Sequence, residues 1–169
     1  MRKFWNLFLL TTAVLAIGLF LTLQYFLRKK IETVAFDRHI DKVDLQLCDE
    51  ERVLQYYMVS TDYNGGKRAI KSKLFPRIQK DQISFGSFDG NITIRFIVNC
   101  KGQIGLFRAR VIDQALKTAE IDEVNAANLI ALVSQLDNWQ VAVQENGEVY
   151  DAYYSINFKV RNGFINDIF

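Results

Sequence analysis

Histidine is almost absent from this 169-residue chain, which has only His39. Imidazole is the usual general base near neutral pH, and nucleophilic serine or cysteine sites depend on such a base. The chain therefore cannot assemble a Ser/His/Asp or Cys/His set without His39, and a lone histidine is more often solvated than catalytic. We expect a protein that is not an enzyme. The alternative is an enzyme that uses carboxylates, with Asp49, Glu51 and Asp113 as candidates.

Cysteine is nearly as scarce, with Cys48 and Cys100 alone. Two thiols and one distant histidine do not make a tetrahedral ligand set, so we predict no metal site and no other cofactor. In a reducing compartment two isolated thiols are usually buried and inert. In an oxidising compartment an even count favours a disulfide, which would close a loop of about 50 residues and stabilise the fold by roughly 4 kcal/mol. Composition alone leaves both interpretations open.

Charged residues are missing from Phe4 to Leu27. A helix of that length rises about 36 Å, enough to cross a hydrocarbon core of about 30 Å. A cleavable signal peptide has a shorter apolar core and a small-x-small cleavage site, whereas this run ends in LQYFLRKK without such a site. We predict an uncleaved transmembrane anchor over residues 1–30, followed by a linker and helix over 31–62. Basic residues flank both ends of the span, so charge does not set its orientation.

The rest of the chain has no excess of basic residues. Five of the 21 Lys and Arg lie in residues 1–30, which contain no acid, so 16 remain against all 19 Asp and Glu, and residues 31–169 carry about −3. Phosphate binding requires a basic surface. We therefore predict no nucleic-acid partner.

Apolar periodicity after residue 48 predicts a mixture of helices and strands. Helices are predicted at 49–59, at 66–74 with a stop at Pro76, and at 120–136. In GNITIRFIVNCKGQIGLFRARV two alternating runs flank the turn NCKG, which predicts a hairpin with Ile92, Ile94, Phe96 and Val98 on one face. The order of elements predicts an α+β fold, a small antiparallel sheet with helices packed on one face.

The last alternating run, YDAYYSINFKV, predicts a strand with one apolar and one polar row. If this strand lies at an edge of the sheet, its free backbone groups can accept a partner strand. The competing interpretation is an ordinary solvated sheet face. The candidate partner-binding residues, all in or next to the polar row, are Tyr150, Tyr153, Ser155, Asn157 and Lys159.

Several short motifs, taken in order, resemble the C-terminal domain of TonB-type energy transducers. They are YNGG, GNITIRFIVNCKGQIG, the helix after EIDEV, and LDNWQVAVQENGEVYDAYYSINFKV. The family pattern has an aromatic-x-Gly-Gly before a short helix, a glycine-led alternating strand, a second helix, a Trp, an Asn-Gly turn and a terminal strand with Tyr and Phe. The matching positions, within residues 63–160, are Tyr63, Gly65, Gly66, Gly90, Phe96, Val98, Gly102, Trp139, Asn146, Gly147, Tyr154 and Phe158.

The resemblance implies a single-pass inner-membrane protein whose C-terminal domain, residues 63–169, lies in the periplasm. It implies a domain that adds a short segment of an outer-membrane transporter, or of another envelope protein, to its sheet as a strand. An inner-membrane motor complex would supply force. Because the periplasm is oxidising, the resemblance also implies a disulfide between Cys48 and Cys100. The alternatives are a structural or regulatory envelope protein with the same fold, acting as a homodimer, and an envelope enzyme.

Three features depart from the family pattern. The single proline, Pro76, provides no Pro-rich spacer, and Phe4–Leu27 lacks the histidine that the family carries in its anchor. Asn162-Gly163 is a strong hairpin signal that would fold the FINDIF tail back onto the last strand. Such a tail would occupy the edge where a transporter segment should dock.

Overall fold

The computed structural model describes residues 2–30, 45–49, 52–55, 59 and 61–169. The chain divides into two compact units, Met1–Ala35 and Phe36–Phe169. The two units are described separately below.

The first unit contains helix α1, Arg2–Lys30. Its segment Lys3–Leu23 is long and apolar enough to cross a membrane, and it is the one such helix in the described part of the chain. Three of its polar side chains are satisfied within the helix, since Thr11, Thr12 and Thr22 donate to carbonyl oxygens one turn earlier at 2.9–3.1 Å. This matches the predicted span in length and composition.

The second unit is a mixed α+β fold, as predicted. Its main sheet has four antiparallel strands in the order β3-β2-β7-β8, and two short ladders pair β1 with β4 and β5 with β6. In chain order the elements are β1 (Asp62–Tyr63), α2 (Gly66–Lys80), β2 (Gly90–Val98), β3 (Ile104–Asp113), α3 (Glu123–Val133), β4 (Trp139–Gln140), β5 (Ala142–Val143), β6 (Val149–Tyr150), β7 (Ala152–Arg161) and β8 (Phe164–Ile168).

The core lies between the sheet and the two helices. Alternation in β2 buries Ile92, Ile94, Phe96 and Val98 on one face, which confirms the predicted inward row. The matching row of β7 and the apolar stripes of α2 and α3 complete the same cluster, with Tyr154, Ile156, Phe158, Val160, Ile70, Leu74, Ile78, Leu129, Leu132 and Val133. Helices therefore cover one face of the sheet.

Two of the three helices predicted in this unit exist, with different ends. Helix α2 continues through Pro76 to Lys80, so the predicted stop at the proline is wrong. Proline removes one backbone donor, but Leu74 and Ile78 on either side of it are buried in the core and hold the helix together. Helix α3 begins at Glu123 rather than 120, because the Asp122 carboxylate accepts a hydrogen bond from the Asn125 N–H at 2.8 Å and caps it there.

The helix predicted at 49–59 is wrong where the structure describes it. Residues 52–55 are not helical, and Leu54 forms a parallel bridge with Ala152. Residues 50, 51 and 56–58 of that prediction lie outside the described residues.

The predicted hairpin is confirmed and carries a bulge. The turn is closed by the Gly102 N–H, which donates to the Asn99 carbonyl oxygen at 2.9 Å, and Gly102 has a φ of 74°. Between the pairs Arg95↔Arg108 and Ile97↔Gly105 the ladder shifts by one residue, so that Phe96 opposes two residues of β3. The extra residue changes the direction of the β3 side chains, so they do not simply alternate between the two faces along the whole strand.

Candidate functional site

The candidate site is the outer long side of β7, the side away from β2. Two segments approach this side from opposite ends. One is the N-terminal strap, defined as residues 45–49 and 52–55, and the other is the C-terminal strand β8. A partner can reach only those backbone groups of β7 that neither the strap nor β8 pairs with.

A disulfide ties the strap to the β2–β3 turn. Cys48 and Cys100 are bonded, with their Cα atoms 6.2 Å apart and 52 positions apart in sequence. The predicted pairing is therefore present, and Cys100 lies in the hairpin turn.

Two buried polar side chains reinforce that attachment. The Asp151 carboxylate accepts the backbone N–H groups of Cys48 at 2.6 Å, Asp49 at 3.1 Å and Cys100 at 2.8 Å, so both cysteine amides converge on it. Asn99 donates from its side-chain amide to the Gln46 carbonyl oxygen at 3.0 Å. Both residues are 0% exposed. The alternation of YDAYYSINFKV predicts Asp151 in the outward polar row, and that prediction is wrong, because these three N–H groups satisfy a carboxylate that burial would otherwise penalise.

The strap then pairs with the start of β7. The Leu54 N–H donates to the Asp151 carbonyl oxygen at 2.8 Å, and the Tyr153 N–H donates to the Leu54 carbonyl oxygen at 3.0 Å. Leu54 also packs in a small second cluster with Val59, Ala142, Tyr150 and Ala152. The outer side of β7 is therefore already paired with the strap at the beginning of the strand.

Strand β8 covers the other end of β7. It pairs antiparallel from Phe158↔Ile168 to Arg161↔Phe164, and Asn157 and Phe169 exchange two backbone hydrogen bonds at 3.0 and 3.1 Å. The Asn162-Gly163 turn folds the tail back, as the sequence predicts. The interpretation of β7 as a free edge strand is therefore wrong over residues 157–161. The side chains of Ile165 and Ile168 in β8 are buried in the core.

Ser155 lies in the gap between these two segments. Because the backbone groups of Asn157 point toward Phe169, strand alternation turns those of Ser155 the same way. Neither backbone group of Ser155 has a partner on this side among the described residues. A small cleft with about 170 Å³ of empty space opens beside it, lined by Lys67, Ile70, Tyr154, Ser155, Ile156, Ile168 and Phe169.

The five predicted partner-binding residues do not form one surface. Tyr150 is in β6 and buried, and its hydroxyl is hydrogen-bonded to the Glu148 carboxylate, which raises the pKa of Tyr150. Tyr153 is 1% exposed beneath the guanidinium of Arg95, whose Cζ lies 3.8 Å from the ring centroid. Ser155, Asn157 and Lys159 are half-buried on the open face of β7. Of the five, Ser155 alone borders the gap with unpaired backbone groups in the described structure.

The aromatic positions of the family pattern meet in the core. The Trp139 ring centroid lies 4.8–5.1 Å from those of Tyr63, Phe96 and Tyr154. Burial, followed by the nearby Asp62 carboxylate, raises the pKa of Tyr154 well above its ordinary value. These residues position β7 and do not reach its outer side.

The glycine positions of the pattern have backbone roles. Gly65, Gly66, Gly102 and Gly147 all have positive φ, between 64° and 88°. A Cβ on Gly90 would lie 2.2 Å from the Ile112 carbonyl oxygen. Phe158 is fully buried. The motif residues therefore build the fold, and none of them touches the gap except Tyr154, which lines the cleft.

The remaining polar clusters have structural partners. Cys48, Cys100 and Asp151 bring potential metal ligands within 4.8 Å, but the sulfur atoms are bonded to each other and the carboxylate accepts backbone N–H groups. Of the candidate carboxylates, Asp113 accepts the Lys117 N–H at 2.8 Å and closes a turn. Glu51 and His39 lie outside the described residues.

No protein-family model, curated protein or solved structure matches this chain.

Proposed function

We propose that this chain is a membrane-anchored protein-binding module that adds an extended segment of an envelope partner to the outer side of β7. In this proposal α1 is the anchor, the second unit is periplasmic, and its fold is of the TonB C-terminal type. The partner is an outer-membrane transporter or another envelope protein.

The observation that carries the proposal is the backbone of Ser155, whose outward N–H and C=O have no partner among the described residues. A strand edge with an outward N–H and C=O can pair with another chain, and proteins normally protect such edges. Among the described residues, the pairing of the strap with β7 reaches Tyr153, and that of the C-terminal segment reaches Asn157. The gap between them offers two main-chain hydrogen bonds, with an apolar cleft beside it and the Lys67 side chain at its wall.

A second candidate function rests on β8. Because β8 already pairs with residues 157–161, a partner strand has far less edge than an unobstructed β7 would offer. This favours a structural or regulatory envelope protein that uses the fold without transducing force. The missing Pro-rich spacer and anchor histidine favour the same alternative.

Photo-crosslinking in cells tests both candidates. A photoreactive residue replaces Ser155, and the matched control replaces Gln79, which is exposed at the end of α2. Capture of an outer-membrane transporter from position 155 alone supports the transducer-like function. Capture of a second copy of this chain supports the dimeric alternative, and identical products from both positions refute strand addition at the gap.

A backbone variant sharpens the same test. Ser155→Pro removes the outward N–H, which β2 does not use, so the fold should persist while capture from a neighbouring photoreactive position is lost. Ser155→Ala keeps the N–H and should retain capture. Equal capture in the two variants would show that this N–H does not take part.

A further inference from the structure

The sheet has a second face, opposite the helices, and its charge differs from that of the rest of the domain. Cross-strand pairing places Arg95 opposite Arg108 and Thr93 opposite Arg110, and Lys159 lies two residues beyond Asn157 on the same side of β7. We call this side of β2, β3 and β7 the basic face, with its cations Arg95, Arg108, Arg110 and Lys159. Within the four strands of the sheet Asp167, opposite Lys159, is the one acid on this side, and it is ion-paired with Lys71.

This concentration of cations runs against the composition. Residues 31–169 carry about −3 overall, with 16 basic and 19 acidic residues, yet four of the cations project from one sheet face. Arg95 and Arg108 lie directly opposite each other in the ladder, where like charges repel.

The described residues of the strap cover one end of this face. Gln55 accepts a hydrogen bond from Arg95 at 2.8 Å, and a Cβ on Gly105 would lie 2.8 Å from the Leu45 Cβ. Beneath the strap Ile97 and Tyr153 are buried. At the other end Arg110 is exposed, and Lys159 is half-buried beside the hydrogen-bonded pair Thr93 and Asn157.

We propose that the basic face binds the anionic headgroups of a phospholipid membrane. Its cations are spread over one side of the sheet with polar Asn91, Thr93 and Asn157 between them, which suits a diffuse layer of phosphate groups. The proposal rests on the proposed anchor, because the 14 residues between Lys30 and Leu45 span at most about 50 Å when fully extended. A tether of that length keeps a bilayer surface within constant reach of the domain.

The test uses the full chain, with its own anchor, in nanodiscs that contain a lipid-bound acceptor dye. A donor dye is attached through an unnatural side chain at Asn91, which lies on the basic face and has no side-chain hydrogen bond recorded among the described residues. Energy transfer is compared between pure phosphatidylcholine and a mixture with phosphatidylglycerol. We expect higher transfer on the anionic membrane and its loss at about 1 M salt, where the Debye length falls to about 3 Å.

Charge variants make the result specific. Arg110→Gln with Lys159→Gln should lower the ratio of docked to undocked domain roughly fivefold for each cation, about 25-fold together. The matched control, Lys80→Gln with Lys117→Gln, removes the same charge at exposed sites off this face and should leave transfer unchanged.

Two outcomes would overturn the proposal. Equal transfer on both membranes would exclude headgroup binding and favour an acidic protein segment as the ligand of this face. An equal drop in the control variant would attribute the effect to net charge. No partner protein is present in the assay, so its failure leaves capture from Ser155 unaffected, and the two proposals fail separately.

Discussion

Replacing both cysteines with serine should destabilise the domain by about 4 kcal/mol without unfolding it. The magnitude follows from the 52-residue separation of Cys48 and Cys100, because a cross-link of that span removes loop-closure entropy from the unfolded chain. A domain of this kind typically has a stability of about 5–15 kcal/mol, so most of the population remains folded. The strap should also stay in place, since Asp151 binds backbone N–H groups that the substitution does not remove.

The assay is urea unfolding of the full chain in a mild non-ionic detergent, followed by tryptophan fluorescence. The chain has two tryptophans, so Trp5→Phe in every variant leaves Trp139, which is buried against the core aromatics, as the reporter. Disulfide-reduced wild-type protein should unfold at the same urea concentration as the double serine variant. If the two midpoints agree, the loss of stability comes from the missing cross-link and not from the change of side chain.

Adding Asp151→Asn separates the covalent from the polar attachment. Asparagine keeps one acceptor oxygen but places an amide NH₂ among backbone donors, at a cost of about 1–3 kcal/mol for the unsatisfied groups. Because both changes act on the strap, their effects should not add. A loss below about 1 kcal/mol on removing the disulfide would refute the loop-entropy reasoning, and a double serine variant with no native Trp139 signal would refute the role assigned to Asp151.

Two further predictions concern single residues. The raised pKa of Tyr154, caused first by burial and then by Asp62, means that the folded state holds the proton more tightly than the unfolded state, whose pKa is about 10. The stabilisation that Tyr154 gives the folded state is therefore complete below pH 10 and declines as the pH rises toward the folded-state pKa. Tyr154→Phe should therefore show a smaller fall in urea midpoint between pH 9 and 11 than the wild type. Equal falls in the two proteins would contradict this. Gly163→Ala should cost more than about 2 kcal/mol, because the added Cβ lies 1.8 Å from the Gly86 carbonyl oxygen and φ is +76°. Gly147→Ala, with a φ of +82° but nothing within 4 Å, isolates the backbone strain and should cost less; equal losses would exclude the steric explanation.

The sheet and its core could be predicted from the sequence because alternation is a local property. Ile92, Ile94, Phe96 and Val98 occur every second residue and are buried together. The Asn162-Gly163 turn was equally readable, since it requires positive φ at both positions and only a few residue types adopt it.

The site itself depends on contacts between distant residues and was only partly predictable. Nothing local distinguishes Asp151 from the solvated polar row, because its burial is set by amides that lie 51 and 103 positions away. The conformation of the strap also depends on distant contacts. Its acids and apolar spacing resemble a helix, whereas Leu54 is held extended by β7.

The disulfide also determines how a mechanical load would pass through the domain. Tension that enters from the N-terminal side reaches Cys48 and crosses directly to Cys100 through the sulfur atoms. Residues 49–99, which include α2 and β2, lie outside this covalent line, so a pull toward β7 does not stretch them. The loaded part of the chain is then residues 100 onward, beginning with the β2–β3 turn. A strand bound at Ser155 would be pulled against β3 and β7, while helix α2, inside the loop that the disulfide closes, carries no tension along its own backbone.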